Sequence, residues 1–93
     1  MKRTLIQSPA FVRAAKRFVK KQPGVLPSFR DTLTLLEQDA FDPRLRTHKL
    51  KGELAGSWAC SAGYDLRVIF DFVQYDGTEA VLLLSVGTHD EVY

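Results

Sequence analysis

The spacing of hydrophobic residues changes once along the chain, and this change limits the possible folds more than any other feature. Up to about residue 40 the apolar residues recur every three or four positions, which is the period of an amphipathic helix. From residue 65 onward they alternate or run together, as they do in strands. A chain of 93 residues is therefore expected to form one domain, residues 1–93, in which helices cover a sheet.

Two amphipathic helices are predicted in the first half. The first is expected over about residues 9–21, because Ser8 suits an N-cap and Pro9 suits the first helical position. The second starts at Pro27-Ser28 and is expected to end at Asp42-Pro43, since a proline disfavours the helical conformation of the residue before it. The apolar stripes of the two helices are Phe11, Ala14, Ala15, Phe18 and Val19, and Phe29, Leu33, Leu36 and Ala40.

Four strands are predicted around these helices, at about residues 2–7, 57–61, 65–73 and 80–84. An Asp76-Gly77 turn should join the last two strands in a hairpin. The fold class is α+β with the order β-α-α-β-β-β: a two-helix hairpin packs on one face of a small, mainly antiparallel four-stranded sheet. The other face stays open and should carry Asp65, Arg67 and Asp71. The face expected to meet the helices carries Leu66, Val68, Phe70 and Phe72.

Charge divides the chain near the same place. Residues 1–51 hold 12 Lys and Arg against 4 Asp and Glu, a net of +8, whereas residues 52–93 hold 1 against 7, a net of −6. A basic half indicates a polyanion or an acidic protein as partner. The basic segment, residues 44–51, is predicted to be a loop, and its charged and titratable members are Arg44, Arg46, His48, Lys49 and Lys51.

A loop of this composition suits phosphate binding and proton transfer, because cations pair with phosphate and imidazole titrates near neutral pH. The alternative is that these cations are only solvated and that His48 is an ordinary loop residue. The same two interpretations apply to a second basic group, which recurs at helical spacing on the first predicted helix. Its members are Arg13, Lys16, Arg17 and Lys20.

Three residues of the strand half are further candidates. His89 follows the last apolar run and is either half of an acid–base pair with His48 or a polar strand end. Asp65 and Arg67 form either an exposed ion pair of little energetic weight or an acid that orients a histidine and a cation that holds phosphate. Such groups suit RNA cleavage without a metal, in which a base deprotonates the 2′-OH and an acid protonates the leaving 5′-oxygen.

Composition argues against several other classes. There is no run of 18 apolar residues, so no membrane span is predicted, and the N-terminus lacks the apolar stretch of a signal peptide. Cys60 is the only cysteine, which excludes an internal disulfide and suits the cytoplasm. The two histidines and the scattered acids lack the close spacing of metal ligands, so neither a metal nor another cofactor is expected.

The chain resembles the RelE/ParE toxin superfamily, and within it the YafQ type. The resemblance rests on the element order, on His48-Lys49-Leu50, on Asp-Leu-Arg-Val-Ile-Phe at residues 65–70 and on Gly-Thr-His-Asp-Glu-Val-Tyr at residues 87–93. It implies a toxin of a type II toxin–antitoxin pair that enters the ribosomal A site and cuts mRNA. It also implies a cognate antitoxin that holds the toxin inactive in a hetero-oligomer, and contacts with rRNA.

The resemblance assigns roles to individual residues. His48 corresponds to the histidine of the family's His-Lys-Leu motif, and Asp65 to the acid before its central strand. His89 corresponds to the histidine of the terminal Gly-Thr-His motif and is expected to be the general acid or base, with His48 as its counterpart. Arg67 matches a strand arginine of the wider superfamily. Tyr93 stands where an aromatic residue closes the site.

Three positions depart from the YafQ pattern. Ser61 replaces a second histidine of the sheet, and Leu66 replaces a tryptophan. Ser85 replaces an arginine that would face the scissile phosphate, so that Arg67, Arg46 or Lys51 has to take over its role, or cleavage is weaker. The alternatives are a non-nuclease relative, either a ParE-like gyrase poison or a weakened toxin, and a plain RNA-binding module in which His89 is dispensable.

Overall fold

The computed structural model describes residues 2–62 and 65–92. Within this part a mixed five-stranded sheet of order β1-β5-β4-β3-β2 has β1 parallel to β5 and the other neighbours antiparallel. None of the described helices is long and apolar enough to cross a membrane. The elements are β1 (Leu5–Gln7), α1 (Pro9–Lys21), α2 (Leu26–Gln38), β2 (His48–Lys49), β3 (Trp58–Ala62), β4 (Leu66–Tyr75), β5 (Thr78–Gly87) and α3 (His89–Val92).

Helix α1 has the bounds that the sequence predicts. The Ser8 hydroxyl accepts a hydrogen bond from the Phe11 amide at 3.0 Å, and Pro9 occupies the first helical position. At the other end the Gln22 amide donates to the Phe18 carbonyl at 3.0 Å. The helix is therefore closed at both ends by local hydrogen bonds that its own sequence supplies.

Helix α2 ends at Gln38, four residues before the predicted stop at Asp42-Pro43. Asp39 adopts an extended conformation, and its carboxylate accepts a hydrogen bond from the Phe41 amide at 3.0 Å. This Asx turn competes with the next helical turn. Ala40 is fully buried although it lies outside the helix, which is why its helical spacing suggested a longer element.

The expectation of four strands and a basic loop was wrong in one respect, because part of the basic segment is a strand. His48 and Lys49 form β2 and pair with Ala59 and Trp58 of β3. A two-residue polar strand has no hydrophobic period, so only its pairing with β3 reveals it. Just before it, the side chain of Leu45 is fully buried and fixes the segment to the core.

The core lies between the sheet and the pair α1 and α2. Leu66, Val68 and Phe70 of β4 are buried in it, and Phe72 packs against it, which confirms the predicted alternation of this strand. Phe29 of α2 joins the two helices by ring contacts with α1, at centroid distances of 6.1 and 6.5 Å. The helical hairpin is therefore held by aromatic packing over one face of the sheet.

Strand β5 contains a bulge that its apolar sequence conceals. Ile69 pairs with Ser85 and Phe70 pairs with Leu83, so Leu84 has no partner on β4. One extra residue reverses the alternation of side chains, and Leu83 and Val86 therefore both belong to the core. The bulge consequently turns Ser85 to the face opposite the helices.

Leu45→Ala is expected to lower the free energy of unfolding by roughly 2–5 kcal/mol, because it leaves a cavity under the basic segment. Leu54→Ala is the matched control, since Leu54 is 38% exposed and the change should stay within about 0.5 kcal/mol. Urea denaturation of the two variants measures both quantities. Equal losses in the two variants would show that Leu45 does not anchor the segment.

Candidate functional site

The candidate site lies on the face of the sheet turned away from α1 and α2, which we call the open face. Directly paired residues of neighbouring strands share a face, so the strand pairing assigns side chains to it. One row across the sheet contains His48, Ala59, Ile69 and Ser85, and the adjacent row contains Ser61, Arg67 and Gly87. Ala59 and Ile69 are buried, so the middle of this face is covered, contrary to the expectation that the whole face stays open.

Arg67 lies in the middle of this face. Its partners on the neighbouring strands are Ser61 and Gly87, and the Glu91 side chain packs against Gly87. One of its five N–H donors bonds to the Leu66 carbonyl at 3.2 Å. The two positions that depart from the YafQ pattern and face this surface, Ser61 and Ser85, are therefore a direct and a diagonal neighbour of Arg67.

His48 lies exposed at the sheet edge with a defined ring orientation. Its Nδ1 is 2.9 Å from the Arg46 carbonyl oxygen, and a carbonyl oxygen only accepts, so Nδ1 carries the hydrogen. In the neutral ring Nε2 is then the basic nitrogen. Arg46 supplies this carbonyl from a left-handed conformation, with φ of 52°, which turns the chain from the preceding 3-10 turn into β2.

The other cations of the basic segment differ in their surroundings. Lys49 is on the opposite face from His48, because successive strand residues alternate, and its Nζ is 5.4 Å from the Trp58 ring centroid. Neither Arg46 nor Lys51 has an ion-pair partner among residues 2–62 and 65–92.

Arg44 is paired with an acid of its own turn. Its Nε and Nη2 donate to the Asp42 carboxylate at 3.0 and 2.9 Å, and the Arg44 amide donates at 2.9 Å. These hydrogen bonds lower the pKa of Asp42 from 3.8 to about 2 and raise the pKa of Arg44. Arg44 therefore offers less free charge to a ligand than Arg46 or Lys51 does.

Asp65 connects the start of β4 with the C-terminal helix. Its Oδ1 accepts a hydrogen bond from the His89 backbone amide at 3.1 Å. The Nδ1 of His89 is 3.6 Å from Asp90 Oδ1. Asp65 thus contacts the main chain of one of the two histidines, and its role as an acid that orients an imidazole stays a prediction. Tyr93 lies outside the described residues.

Residues 89–92 form helix α3, although the sequence predicts only a strand end at Gly87-Thr88-His89 followed by a short tail. The Thr88 amide donates to Glu91 Oε1 at 2.9 Å, and the Glu91 amide donates to Thr88 Oγ1 at 3.3 Å. This reciprocal pair is a capping box, and Thr-x-x-Glu was the sequence signal for it. Glu91 Oε2 also lies 3.4 Å from Lys21 Nζ. The hydrogen bond from the Thr88 amide lowers the pKa of Glu91, and Lys21 lowers it further by a smaller amount.

A cleft of about 360 Å³ joins the basic segment to α3, and it is lined by Lys51, Glu53, Leu54 and Val92. The end of the basic segment and the helix that carries His89 therefore face a common space. Arg13, Lys16, Arg17 and Lys20 do not belong to it. They are exposed on α1, in the layer on the other side of the sheet, and form a second basic surface.

Metal binding has no visible basis in the described part of the chain, which contains no group of three side chains able to hold an ion. Cys60 is fully buried, and burial raises the pKa of its thiol to about 12. Its thiolate is therefore not formed near neutral pH. The chemistry available at the open face is that of imidazole, guanidinium and carboxylate groups.

Solved structures define the class to which this fold belongs. The chain is similar to YafQ from E. coli strain BL21(DE3), with 17% identity, a TM-score of 0.76 and 99% of each chain covered. It is similar to a YoeB/ParE toxin from Agrobacterium tumefaciens, with 13% identity, a TM-score of 0.71 and 92% of this chain and 98% of that chain covered. A chain of the E. coli DinJ-YafQ toxin-antitoxin complex has 18% identity and a TM-score of 0.74, with 100% and 99% covered. The fold is that of these bacterial toxins.

The family model for the bacterial toxin of the type II toxin-antitoxin system, YafQ, matches residues 3–93. The chain therefore belongs to the YafQ family of type II toxins, which confirms the resemblance seen in its sequence. A search of curated proteins gave no match.

Arg44→Gln is expected to raise the pKa of Asp42 from about 2 part of the way toward 3.8, since the amide hydrogen bond of residue 44 stays. Carbon-13 NMR titration of the carboxyl group measures it, with Arg46→Gln as control. Because the folded-state pKa is depressed, the pair stabilises the fold above about pH 4, and this contribution is lost as the pH falls through 2. An unchanged titration midpoint in Arg44→Gln would contradict this cause.

Proposed function

We propose that this toxin is a ribosome-dependent endoribonuclease that cleaves mRNA by attack of a ribose 2′-OH on the adjacent phosphorus. The proposal is supported by the position of His48 and Arg67 on the open face, by the hydrogen bond from the His89 amide to Asp65 and by the membership of the chain in a toxin family. The 2′-OH is an internal nucleophile, so the reaction needs no metal-activated water. Acid–base residues and cations are sufficient for it.

The proton transfers are assigned to the two histidines. His48 presents Nε2 as a base, because its Nδ1 hydrogen is held by the Arg46 carbonyl. His89 acts as the second proton-transfer group, and Asp65 holds its backbone. The strands that lead to them, β2 and β5, are three inter-strand spacings apart, or about 14 Å. Both imidazoles would therefore have to extend over the open face toward β3 and β4, so that one reaches the 2′-OH and the other reaches the 5′-oxygen of the same phosphate.

The negative charge of the pentacoordinate phosphorus requires a cation close to it. Arg67 is our candidate, because it lies between Ser61 and Gly87 on the open face and presents a planar fork of donors. Lys51, in the cleft, and Arg46 would bind neighbouring phosphates. Arg44 and Lys49 would act at the periphery, since Asp42 and Trp58 already contact them.

Binding to the ribosome is assigned to the second basic surface. Its four exposed cations on α1 would contact rRNA phosphates, which predicts a steep salt dependence of binding. Tyr93 would stack on a base or polarise a phosphate. The second basic surface consists of Arg13, Lys16, Arg17 and Lys20.

The partner that restrains the toxin is proposed to be a cognate antitoxin. YafQ of E. coli occurs in a toxin–antitoxin complex with DinJ. The net charge of +8 on residues 1–51 favours an antitoxin with an acidic or amphipathic segment laid over this half. A toxin–antitoxin hetero-oligomer is then the resting form of the protein.

His89→Ala is expected to reduce mRNA cleavage on ribosomes by roughly 10²- to 10⁴-fold, because it removes a proton-transfer group. Toxicity on induction should disappear, while the fold and co-purification with the antitoxin stay unchanged. Primer extension on translated mRNA measures cleavage, and Gln38→Ala on the exposed end of α2 is the control. Undiminished growth arrest by His89→Ala would refute the assignment and favour a plain RNA-binding module.

Ser85→Arg tests whether the missing family arginine limits the rate. Ser85 faces the open side diagonally from Arg67, so a new guanidinium there would reach the same phosphate. Cleavage measured by primer extension should rise if the natural chain is a weakened toxin. No change, or a loss, would indicate that Arg67 already fills the role. Ser85→Gln, a polar side chain without charge, separates the effect of the positive charge from that of a larger side chain.

A further inference from the structure

We infer that Thr88 and Glu91 are positioning residues, whose reciprocal hydrogen bonds fix α3 and so set the place of His89 at the end of β5. The inference rests on the proposed function, because it concerns the histidine to which that proposal assigns proton transfer. Neither residue is assigned contact with the substrate. Both act through the backbone that carries His89.

Helix α3 cannot form by itself. It has four residues, and isolated helices shorter than about 12 residues are marginal in water even for favourable sequences. Its conformation therefore depends on contacts with the rest of the domain. This dependence makes the contacts of α3 decisive for the position of His89, its first residue.

The hydrogen bonds of Thr88 and Glu91 enclose His89. The Thr88 amide bonds to the Glu91 carboxylate, and the Glu91 amide bonds back to the Thr88 hydroxyl. The His89 amide, which lies between them, donates to Asp65, and the Val92 amide donates to the Thr88 carbonyl. The backbone on both sides of His89 is therefore held by specific acceptors.

Gly87 lets Glu91 lie close to β5. A Cβ atom on Gly87 would be 3.0 Å from Glu91 Cβ and 3.1 Å from its Oε1. Gly87 is also the cross-strand partner of Arg67. The glutamate thus folds onto the end of the row that carries Arg67, and α3 starts from that point.

Lys21 adds a contact from the other layer of the fold. Its Nζ, at the end of α1, is 3.4 Å from Glu91 Oε2, and the two side chains are 61% and 36% exposed. Pairs of this exposure contribute little to stability. We therefore assign the main effect to the capping box and a minor one to Lys21.

The test compares two alanine variants with their conservative counterparts in single-turnover cleavage of mRNA on saturating ribosomes. Thr88→Ala and Glu91→Ala are expected to cleave about tenfold more slowly, since each removes half of a cap. Thr88→Ser and Glu91→Gln should stay within about threefold of the natural chain, because Ser and Gln also form capping boxes. Ribosome affinity should be unchanged in all four, and Asp31→Ala, an exposed helical acid, is the control.

A second readout is hydrogen exchange at the His89 amide, measured by NMR, which does not depend on cleavage. Exchange should be faster in Thr88→Ala and normal in Thr88→Ser. The inference would be overturned if both alanine variants showed the His89 amide exchange rate and the cleavage rate of the natural chain. It would also be overturned if Thr88→Ala and Thr88→Ser lost the same fraction of the cleavage rate. If Glu91→Ala fails to fold, the Thr88 pair decides. If the natural chain does not cleave mRNA, the proposed function fails, while the exchange data still decide whether Thr88 and Glu91 position His89.

Discussion

The pairing of β4 with β5, interrupted once at Leu84, is the constraint on which both faces of the domain depend. Before the bulge, alternation directs Val81 and Leu83 to the helices, and after it Val86 takes that direction. The same shift gives Arg67 its cross-strand neighbour Gly87, and it brings β5 to its end at the point where α3 begins. A strand without the bulge would reverse the faces of every residue after it.

The candidate site differs from the core in how its geometry is maintained. Packing holds the core, whereas short hydrogen bonds to the backbone hold the site. The Arg46 carbonyl orients the His48 ring, and the Asp65 carboxylate holds the His89 amide. Such contacts fix the orientation of a side chain or of the backbone at small energetic cost, but a single substitution can remove each of them. An arrangement of this kind leaves Nε2 of His48 and the remaining N–H donors of Arg67 available to a ligand.

Much of this was accessible from the sequence, and the failures have specific causes. The cap at Ser8, the stripe of α1 and the alternation of β4 are local patterns, and all three were confirmed. The two-residue strand at His48 was missed because a pairing that short has no period of its own. Helix α3 was missed although Thr88 and Glu91 match the Thr-x-x-Glu pattern of a capping box, because a helix of four residues has no amphipathic stripe.

The sequence by itself determined the family, the order of the main elements and the residue types that suit RNA chemistry. These signals depend only on residues that are close together in the sequence, such as helix and strand periods and terminal motifs. Only the tertiary structure decided which of these residues share a face. Lys49 points away from His48, and Arg44 pairs with Asp42, although Arg44, His48 and Lys49 all belong to the basic segment. Charge counts cannot separate them, because side-chain direction in a strand depends on pairing with residues distant along the chain.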